Sequence, residues 1–165
     1  MRRIAVIDAT PLISLVHLGL AEGLGLFFDT IYVPRAVQKE VNKKQRFRYR
    51  LQKLYRTGAF ERCSSADSTS VQLLEAQLDS GEAEGLIQAQ EKQARYFIGD
   101  EVRARDTCVG YGLTPVGTVR VLARLHLEGQ ADDPAALVRK LRRDLDFRVT
   151  QRVIDQAIAL APQPI

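Results

Sequence analysis

The sequence predicts an α/β fold: a three-layer α/β/α sandwich with a central parallel sheet, formed as a single domain over residues 1–165. Short apolar runs rich in β-branched residues alternate with amphipathic helical patterns, which is the order of elements in parallel sheets. The chain has 165 residues, enough for one domain that buries roughly two thirds of its unfolded surface. We find no internal repeat and no low-complexity segment.

The first predicted strand and helix contain an unexpected acid. Residues 4–7 (Ile-Ala-Val-Ile) have the composition of a strand that is buried on both faces. The strand ends at Asp8, a carboxylate that a buried strand does not need for packing. Thr10 and Pro11 then have the pattern of an N-cap and a first-turn proline before an apolar helix. An acid at the carboxyl end of a strand, facing a helix N-terminus, lies where open α/β sheets place their chemistry.

The same patterns predict the remaining elements in order. The predicted strands are 31–33, an edge strand at 59–63, 96–100 and 114–116. Predicted helices are a short one between 19 and 25, one from 35 through the basic region to 57, and those at 71–78, 82–93, 103–111, 119–128, 134–145 and 150–160. A polar loop is predicted at 64–70. Strands and helices therefore alternate along the whole chain.

Positive charge is concentrated in one segment. Residues 39–62 contain nine basic and two acidic residues, while the whole chain has a formal net charge of +4. The rest of the chain is therefore slightly acidic. A single concentrated positive patch is typical of a protein that binds a polyanion.

The composition also argues against several classes of protein. No stretch reaches the roughly 18 apolar residues that cross a bilayer, so no membrane partner is expected. Asp8 and His17 interrupt the N-terminal apolar run, which does not resemble a signal peptide. The two cysteines, Cys63 and Cys108, are too few for a disulfide framework and are not spaced for zinc. We therefore expect a cytoplasmic location.

Four carboxylates occupy positions that core packing does not explain. Asp8 and Asp100 each end a predicted strand, and the carboxyl ends of parallel neighbours share one edge of the sheet. Glu40 lies on the border of the apolar face of its helix, and Glu82 lies in the first turn of another helix. Glu84 projects about 200° around the helix from Glu82, so we leave it out. The four remaining acids are expected to converge on one site.

Each of the four acids also has a purely structural interpretation, which the sequence leaves open. Asp8 could cap the following turn, and Asp100 could be the N-cap of the next helix. Glu40 could pair with the lysine four residues later. Glu82 could form a capping box with Asp79, three residues earlier.

Five ordered segments resemble a PIN-domain protein, of the branch related to VapC-type toxin nucleases: IDATPLISL, VPRAVQKEV, SGEAEGLIQA, FIGDEVRARD and TPVGT. Residues 145–150 are similar to the closing segment of that branch, so the resemblance covers nearly the whole chain. In that family an Asp ends the first strand and a Glu follows the proline-initiated helix. A third acid begins a helix, and a fourth follows one helix and one strand later. The matching residues are Asp8, Glu40, Glu82 and Asp100.

The resemblance implies a PIN-like fold and a metal-dependent endoribonuclease. Crowded carboxylates raise one another's pKa unless a cation lies among them, and hard oxygen ligands with open positions suit Mg²⁺ or Mn²⁺. Such an ion lowers the pKa of a bound water and neutralises charge on the phosphate oxygens. Asp8 and Asp100 are expected to bind the ion directly. Glu40 and Glu82 are expected to complete the site through water or to bind a second ion.

Two neighbouring residues have supporting roles in this prediction. Thr10 is expected to cap the first helix, and its hydroxyl could also orient Asp8 or a phosphate. Glu101 is an extra acid beside Asp100, which leaves the identity of the fourth ligand open. Neither His17 nor the other histidine fits the role of nucleophile or base.

Basic and aromatic residues predict the surface that binds RNA. Arginines for phosphates and aromatics for unpaired bases are typical of single-stranded RNA binding. The alternative is a solvated amphipathic helix with Leu51, Leu54 and Tyr55 as its core stripe. Arg103 and Arg105 could bind phosphates or form surface salt bridges. In the positively charged segment, the basic residues predicted to contact RNA are Arg46, Arg48, Arg50 and Lys53. The aromatic residues of the same segment are Phe47, Tyr49, Tyr55 and Phe60.

Substrate and partners follow from the resemblance alone. It implies single-stranded RNA as the substrate, a possible role as the toxin of a toxin–antitoxin pair with a cognate antitoxin, and a homodimer. Two alternatives stay open: a catalytically silent nucleic-acid-binding or regulatory PIN-like domain, and a nuclease that acts on DNA. The complete set of four acids favours an enzyme, because a pure binder gains nothing from repelling carboxylates beside a basic patch.

Overall fold

The computed structural model describes residues 1–64 and 66–165, which form a five-stranded sheet with all neighbouring strands parallel. The order across the sheet is β3-β2-β1-β4-β5. The predicted α/β fold with a central parallel sheet is confirmed, including the edge position of β3. Ser65, in the predicted loop 64–70, lies outside the described residues. The strands are β1 (Ile4–Ile7), β2 (Thr30–Val33), β3 (Phe60–Arg62), β4 (Tyr96–Ile98) and β5 (Thr114–Val116).

Helices connect and flank the strands. Among the described residues, no helix is both long and apolar enough to cross a bilayer. The α-helices are α1 (Ala9–Leu18), α2 (Arg35–Val41), α3 (Gln45–Leu54), α4 (Ser68–Leu74), α5 (Ser80–Glu91), α6 (Val102–Gly110), α7 (Thr118–Leu127), α8 (Pro134–Leu145) and α9 (Gln151–Leu160), and a 3₁₀ helix spans Ala21–Leu26.

The central strand β1 divides the core into two clusters. Ala5 and Ile7 pack in the larger cluster, with apolar residues of α1, α3, α7 and α8. Val6 packs on the opposite face, in a cluster with α5 and α6. This alternation follows from the period of two in a strand. All three side chains are completely buried, which explains why the sequence of β1 is apolar without interruption.

The first helix begins earlier than the sequence indicates. It starts at Ala9, so Asp8 occupies the N-cap position, without a side-chain capping hydrogen bond. Thr10 is therefore an exposed residue of the first turn, and the predicted capping role of Thr10 is wrong. Pro11 is tolerated at this place because the N–H groups of a first helical turn have no intrahelical partner.

The basic region forms a separate helix instead of extending the preceding one. α2 ends at Val41 and α3 begins at Gln45, after a short turn. α3 buries Phe47, Leu51 and Leu54, which are spaced as one face of a helix. The alternative prediction, an amphipathic helix that packs on the core through one face, is therefore correct. Phe47 belongs to that buried face together with Leu51 and Leu54.

The aromatic residues of the basic region do not share one role. Phe47 and Phe60 are each 2% exposed, so the prediction that they stack on bases is wrong. Tyr55 is half-buried and lies under the guanidinium of Arg62, 4.2 Å from the ring centroid. Tyr49 is 76% exposed and is the member of this group whose ring remains open to solvent.

The residues that follow α9 are hydrogen-bonded to α7. Arg120 Nη2 donates to the carbonyl oxygen of Gln163 at 2.7 Å, and Arg124 Nη1 donates to that of Ala161 at 3.1 Å. α9 also packs along α7 through Ile154 and Ala157, which belong to the larger core cluster. These contacts hold α9 and the residues that follow it against α7.

Candidate functional site

The backbone places the two strand-end acids at the ends of neighbouring strands. Asp8 N–H donates to the carbonyl oxygen of Ile98 at 2.9 Å, one residue beyond β1. Gly99 N–H donates to the carbonyl oxygen of Val116 at 2.9 Å, one residue beyond β4. Asp8 and Asp100 therefore follow neighbouring strands at the same edge of the sheet, as the sequence predicts.

Asp8 is a buried carboxylate among other carboxylates. The residue is 7% exposed. Burial, together with the charges of Asp79, Glu82 and Glu40, raises the pKa of Asp8 to about 7, while a hydrogen bond from the Ala9 backbone opposes the shift. A negative charge at Asp8 is therefore costly unless a positive charge is close to it.

Asp79 and Glu82 form a capping box at the start of α5. Asp79 Oδ1 accepts from Glu82 N–H at 2.9 Å, and Glu82 Oε2 accepts from Asp79 N–H at 3.2 Å. A Cβ added to Gly81 would lie 3.5 Å from both Asp79 Oδ1 and Asp8 Oδ1, so this cap faces Asp8. The structural interpretation of Glu82 is confirmed, and Asp79 is a site residue that sequence reasoning treated only as a cap.

Glu82 retains an unused oxygen despite its role in the cap. The residue is 4% exposed, and its Oε1 is buried without a hydrogen-bond partner among the described residues. Burial raises the pKa of Glu82, and the charges of Asp79 and Glu101 add to this effect. A buried acceptor without a partner is unfavourable, so Oε1 is an available ligand atom.

Asp100 is anchored to the start of α7 instead of capping α6. Its Oδ1 accepts from Thr118 N–H at 2.8 Å and its Oδ2 accepts from Thr118 Oγ1 at 2.6 Å. The N-cap of α6 is Glu101, so the capping alternative for Asp100 is wrong. Burial raises the pKa of Asp100, whereas the Thr118 hydrogen bonds and the charge of Arg105 lower it. Both carboxylate oxygens thus have a fixed orientation.

Replacing Thr118 tests this anchor. We expect Thr118→Val to lower the free energy of unfolding by about 1–3 kcal/mol, because it leaves Oδ2 of the half-buried Asp100 without its hydroxyl donor. Thr118→Ser keeps the hydroxyl and should lose only about 0.8 kcal/mol for one methyl group. Urea denaturation at neutral pH measures both variants. Equal stabilities of the Val and Ser variants would contradict the proposed anchor.

A groove of about 750 Å³ opens beside the acids, between α1, the α2–α3 turn and the segment after α8. Thr10, Glu40, Asp100 and Glu101 all line it. Glu40 is exposed, and it makes no ion pair with Lys44 within the part of the chain that the structure describes. The groove therefore gives a ligand access to one side of the acidic site.

The far wall of the groove was not predicted from the sequence. It consists of residues 143–148, at the end of α8 and just beyond it. Asp146 ends α8 in the left-handed conformation, with φ of 53°. Asp144 Oδ2 lies 2.9 Å from His17 Nε2, which attaches this wall to α1. Contacts so distant in the chain leave no local pattern in the sequence.

Glu84, omitted from the predicted site, connects two helices that carry site acids. Its Oε1 and Oε2 accept from the N–H groups of Arg35 and Ala36, each at 3.0 Å. Glu84 of α5 thereby caps the N-terminus of α2, the helix of Glu40. The rotation that points Glu84 away from Glu82 is what lets it reach α2.

The capping role of Glu84 can be measured directly. We expect Glu84→Ala to lower the free energy of unfolding by about 1–2 kcal/mol, because two N–H groups of α2 lose their acceptor. Glu75→Ala, at an exposed glutamate, should stay within about 0.5 kcal/mol of wild type. Chemical denaturation measures the free energy of unfolding of both variants. Equal losses in the Glu84 and Glu75 variants would show that Glu84 does not specifically cap α2.

The predicted basic contacts on α3 lie outside the groove. Arg50 Nη1 donates to the carbonyl oxygen of Val16 at 2.6 Å, which caps the end of α1. Lys53 Nζ lies 3.8 Å from Glu22. The four predicted candidates on α3, all exposed, are Arg46, Arg48, Arg50 and Lys53.

The two predicted basic residues of α6 differ in their surroundings. Arg103 is exposed, whereas Arg105 is half-buried beside Asp100. A Cβ added to Gly117 would lie 3.2 Å from Arg105 Nη1 and 3.3 Å from Asp100 Oδ1. The predicted surface salt bridges of these arginines do not form within residues 1–64 and 66–165.

The acids do not form a complete set of metal ligands within the described residues. In the described part of the chain, no three His, Cys, Asp or Glu side chains are grouped closely enough to hold a metal ion. The atoms suited to a cation are instead the carboxylate oxygens around Asp8, including the unpartnered Oε1 of Glu82. Hard cations prefer such oxygen donors.

Comparison with known proteins gives a family for the chain. No curated protein matches it. A family model described as a PIN domain, DUF3368, matches residues 4–163. The match includes all five strands and every acid of the site. Because the matched range spans nearly the entire sequence, the chain belongs to the PIN-domain family.

Proposed function

We propose that the protein is a metal-dependent endoribonuclease that hydrolyses phosphodiester bonds in single-stranded RNA. PIN domains are generally nucleases and typically use divalent metal ions. The observation that supports the proposal most directly is the crowding of carboxylates around the buried Asp8. Buried charges of one sign are costly without compensation, and a cation would supply it.

The donor atoms fit Mg²⁺ or Mn²⁺. All candidate ligands are carboxylate oxygens, which suit hard cations. A bound ion would lower the pKa of a coordinated water and offset charge on the phosphate oxygens. Asp8 and Asp100 are proposed as direct ligands, with Glu40 and Glu82 acting through water or on a second ion. Thr118 keeps Asp100 in one orientation.

Exposed residues near the acids are proposed contacts for RNA. Thr10 and Glu101 line the groove, where they would adjoin a bound strand. Arg103 and Arg105 follow Asp100 on α6, and Arg105 is the closer of the two. Among the basic residues of α3, Arg46 and Arg48 have no salt bridge within the described residues. Arg50 and Lys53 instead contact other parts of the protein.

We also propose that the protein acts as the toxin of a toxin–antitoxin pair, with a cognate antitoxin, and that it forms a homodimer. Apolar side chains exposed on the surface support a protein partner: Val102 and Val109 on α6 are 70% and 65% exposed. We propose that this activity is cytoplasmic. Cys63 and Cys108 are free and buried, which is consistent with a reducing compartment.

A cleavage assay tests the activity. Purified protein is incubated with mixed-sequence single-stranded RNA in Mg²⁺, Mn²⁺ or EDTA, with single-stranded and duplex DNA in parallel. We expect cleavage of RNA with either metal and none with EDTA. Cleavage of DNA alone would identify a DNA nuclease. RNA binding without cleavage of either nucleic acid would identify a silent binding domain and overturn the proposal.

A further inference from the structure

Four basic side chains line the groove, two on each wall, and none of them was a predicted RNA contact. Lys43 and Lys44 come from the α2–α3 turn, and Arg143 and Arg148 come from the opposite wall. Both lysines are exposed and form no salt bridge within the described residues. Their ammonium groups are therefore available to an anion in the groove.

The two arginines are oriented by acids of their own wall. Arg143 Nε donates to Asp144 Oδ1 at 2.8 Å, and Arg148 Nη2 donates to Asp146 Oδ2 at 3.0 Å. The Arg148 side chain is 88% exposed. The Arg148–Asp146 pair is exposed on both sides and contributes little free energy, so a phosphate can replace this carboxylate at small cost. Arginine also has the planar geometry that binds phosphate through two hydrogen bonds.

Apolar side chains lie between the two basic walls. The groove is lined by Ile13 of α1 and Phe47 of α3 on one side, and by Leu145 and Phe147 on the other. Ile13 and Leu145 are half-buried, so part of their surface faces the groove. Phe47 and Phe147 are buried, at 2% and 7% exposed, so the apolar surface open to an unpaired base is that of Ile13 and Leu145. Phosphates would bind to the surrounding cations.

We infer that a single strand of RNA enters the site along this groove, with its phosphates held by Lys43 and Lys44 on one side and by Arg143 and Arg148 on the other. This inference rests on the proposed function and adds the path of the substrate. Glu40, Asp100 and Glu101 also line the groove, so the path passes Asp100, one of the two proposed direct ligands. The groove, and not the outer face of α3, is then the principal binding surface.

The chemistry of the groove favours a single strand over other ligands. A duplex keeps its bases stacked inside, so they would not reach the apolar surface between the basic walls. An uncharged small molecule would leave the ammonium groups of Lys43 and Lys44 without an anionic partner. A flexible strand with exposed bases satisfies both features, because its phosphates can reach the cations while its bases contact the apolar surface.

Binding measurements with matched double variants test the path. A short fluorescent single-stranded RNA is titrated with full-length protein in EDTA, where cleavage is absent, and anisotropy is recorded at several salt concentrations. Lys43→Ala with Lys44→Ala removes two charges from the groove. Arg139→Ala with Lys140→Ala removes two adjacent exposed charges from α8, outside the groove. Arg46→Ala with Arg48→Ala tests the outer face of α3.

The groove variant should bind RNA roughly tenfold or more weakly than wild type, and its dependence on salt should become shallower. For single strands, each lost phosphate contact lowers the slope of log affinity against log salt by about 0.7. The α8 variant should stay close to wild type, and the α3 variant should lose less affinity than the groove variant. Equal losses in all three variants, or a loss confined to the α3 variant, would overturn the inference.

Crosslinking provides a readout that does not depend on variants. RNA that contains 4-thiouridine should crosslink, on irradiation, to the peptides that contain Leu145 or Ile13. Crosslinks confined to peptides of other surfaces would overturn the path. If wild-type protein binds RNA in the groove but never cleaves it, the proposed function fails while the path stands. If it cleaves RNA but crosslinks elsewhere, the path fails while the function stands.

Discussion

Replacing Asp8 by Asn is expected to reduce metal-dependent RNA cleavage by at least about a thousandfold, and Asp100→Asn should have a similar effect. Each change removes one negative charge from the acids proposed to hold the ion, while the size of the side chain stays nearly the same. A thousandfold loss corresponds to about 4 kcal/mol of transition-state stabilisation, which is the scale of a metal ion's contribution. Initial rates with Mg²⁺ and with Mn²⁺ measure the effect.

The control for these variants is Asp132→Asn, an exposed aspartate in the turn before α8. It should cleave at the wild-type rate. Metal binding gives a second readout: addition of Mg²⁺ should raise the thermal midpoint of wild type and of the Asp132 variant, but not of the Asp8 variant. Equal cleavage by wild type and the Asp8 variant would indicate a contaminating nuclease and leave the proposed site without support.

In the absence of divalent cations, the free energy of unfolding is expected to fall as the pH rises through the interval between about 4 and about 7. The pKa of Asp8 is about 7 in the folded protein, against an ordinary value of 3.8. Within this interval the unfolded chain has released the proton that the folded protein still holds, so rising pH favours unfolding. The expected contribution of Asp8 is on the order of 4 kcal/mol. Above about pH 7 it should be constant.

Urea denaturation in EDTA at pH 5 and pH 8 measures this effect, and Asp8→Asn isolates it. The variant lacks the titrating group, so its stability should change less between the two pH values than that of wild type. The raised pKa values of Glu82 and Asp100 have the same sign and remain in the variant. Parallel pH profiles of wild type and variant would show that Asp8 titrates normally. Saturating Mg²⁺ should restore part of the stability of wild type at pH 8.

Much of the fold was predictable because its strands are buried on both faces. The uninterrupted apolar run of β1 is sufficient to predict a central strand, and Asp8 stands out because it ends that run. Asp100 is predicted by the same argument applied to β4. Both predictions depend on short-range patterns and on the rule that parallel strands end at one edge.

The contacts that orient the acids were not predictable in this way. The hydrogen bonds of Asp100 with Thr118, and those of Glu84 with the start of α2, join residues 18 and 48 or more positions apart. No local pattern specifies such pairs. Phe47 is a different case, because its helical spacing with Leu51 and Leu54 did indicate the core. The composition of the basic segment outweighed that spacing in the prediction.

The wall of the groove formed by residues 143–148 is supported from both directions along the chain. Asp144 joins it to His17 of α1, and α9, which begins shortly after it, is anchored in the core through Ile154 and Ala157. Arg124 and Arg120 of α7 add hydrogen bonds to the carbonyl oxygens of residues 161 and 163. The wall is therefore preorganised, so a strand that binds in the groove does not have to order it first.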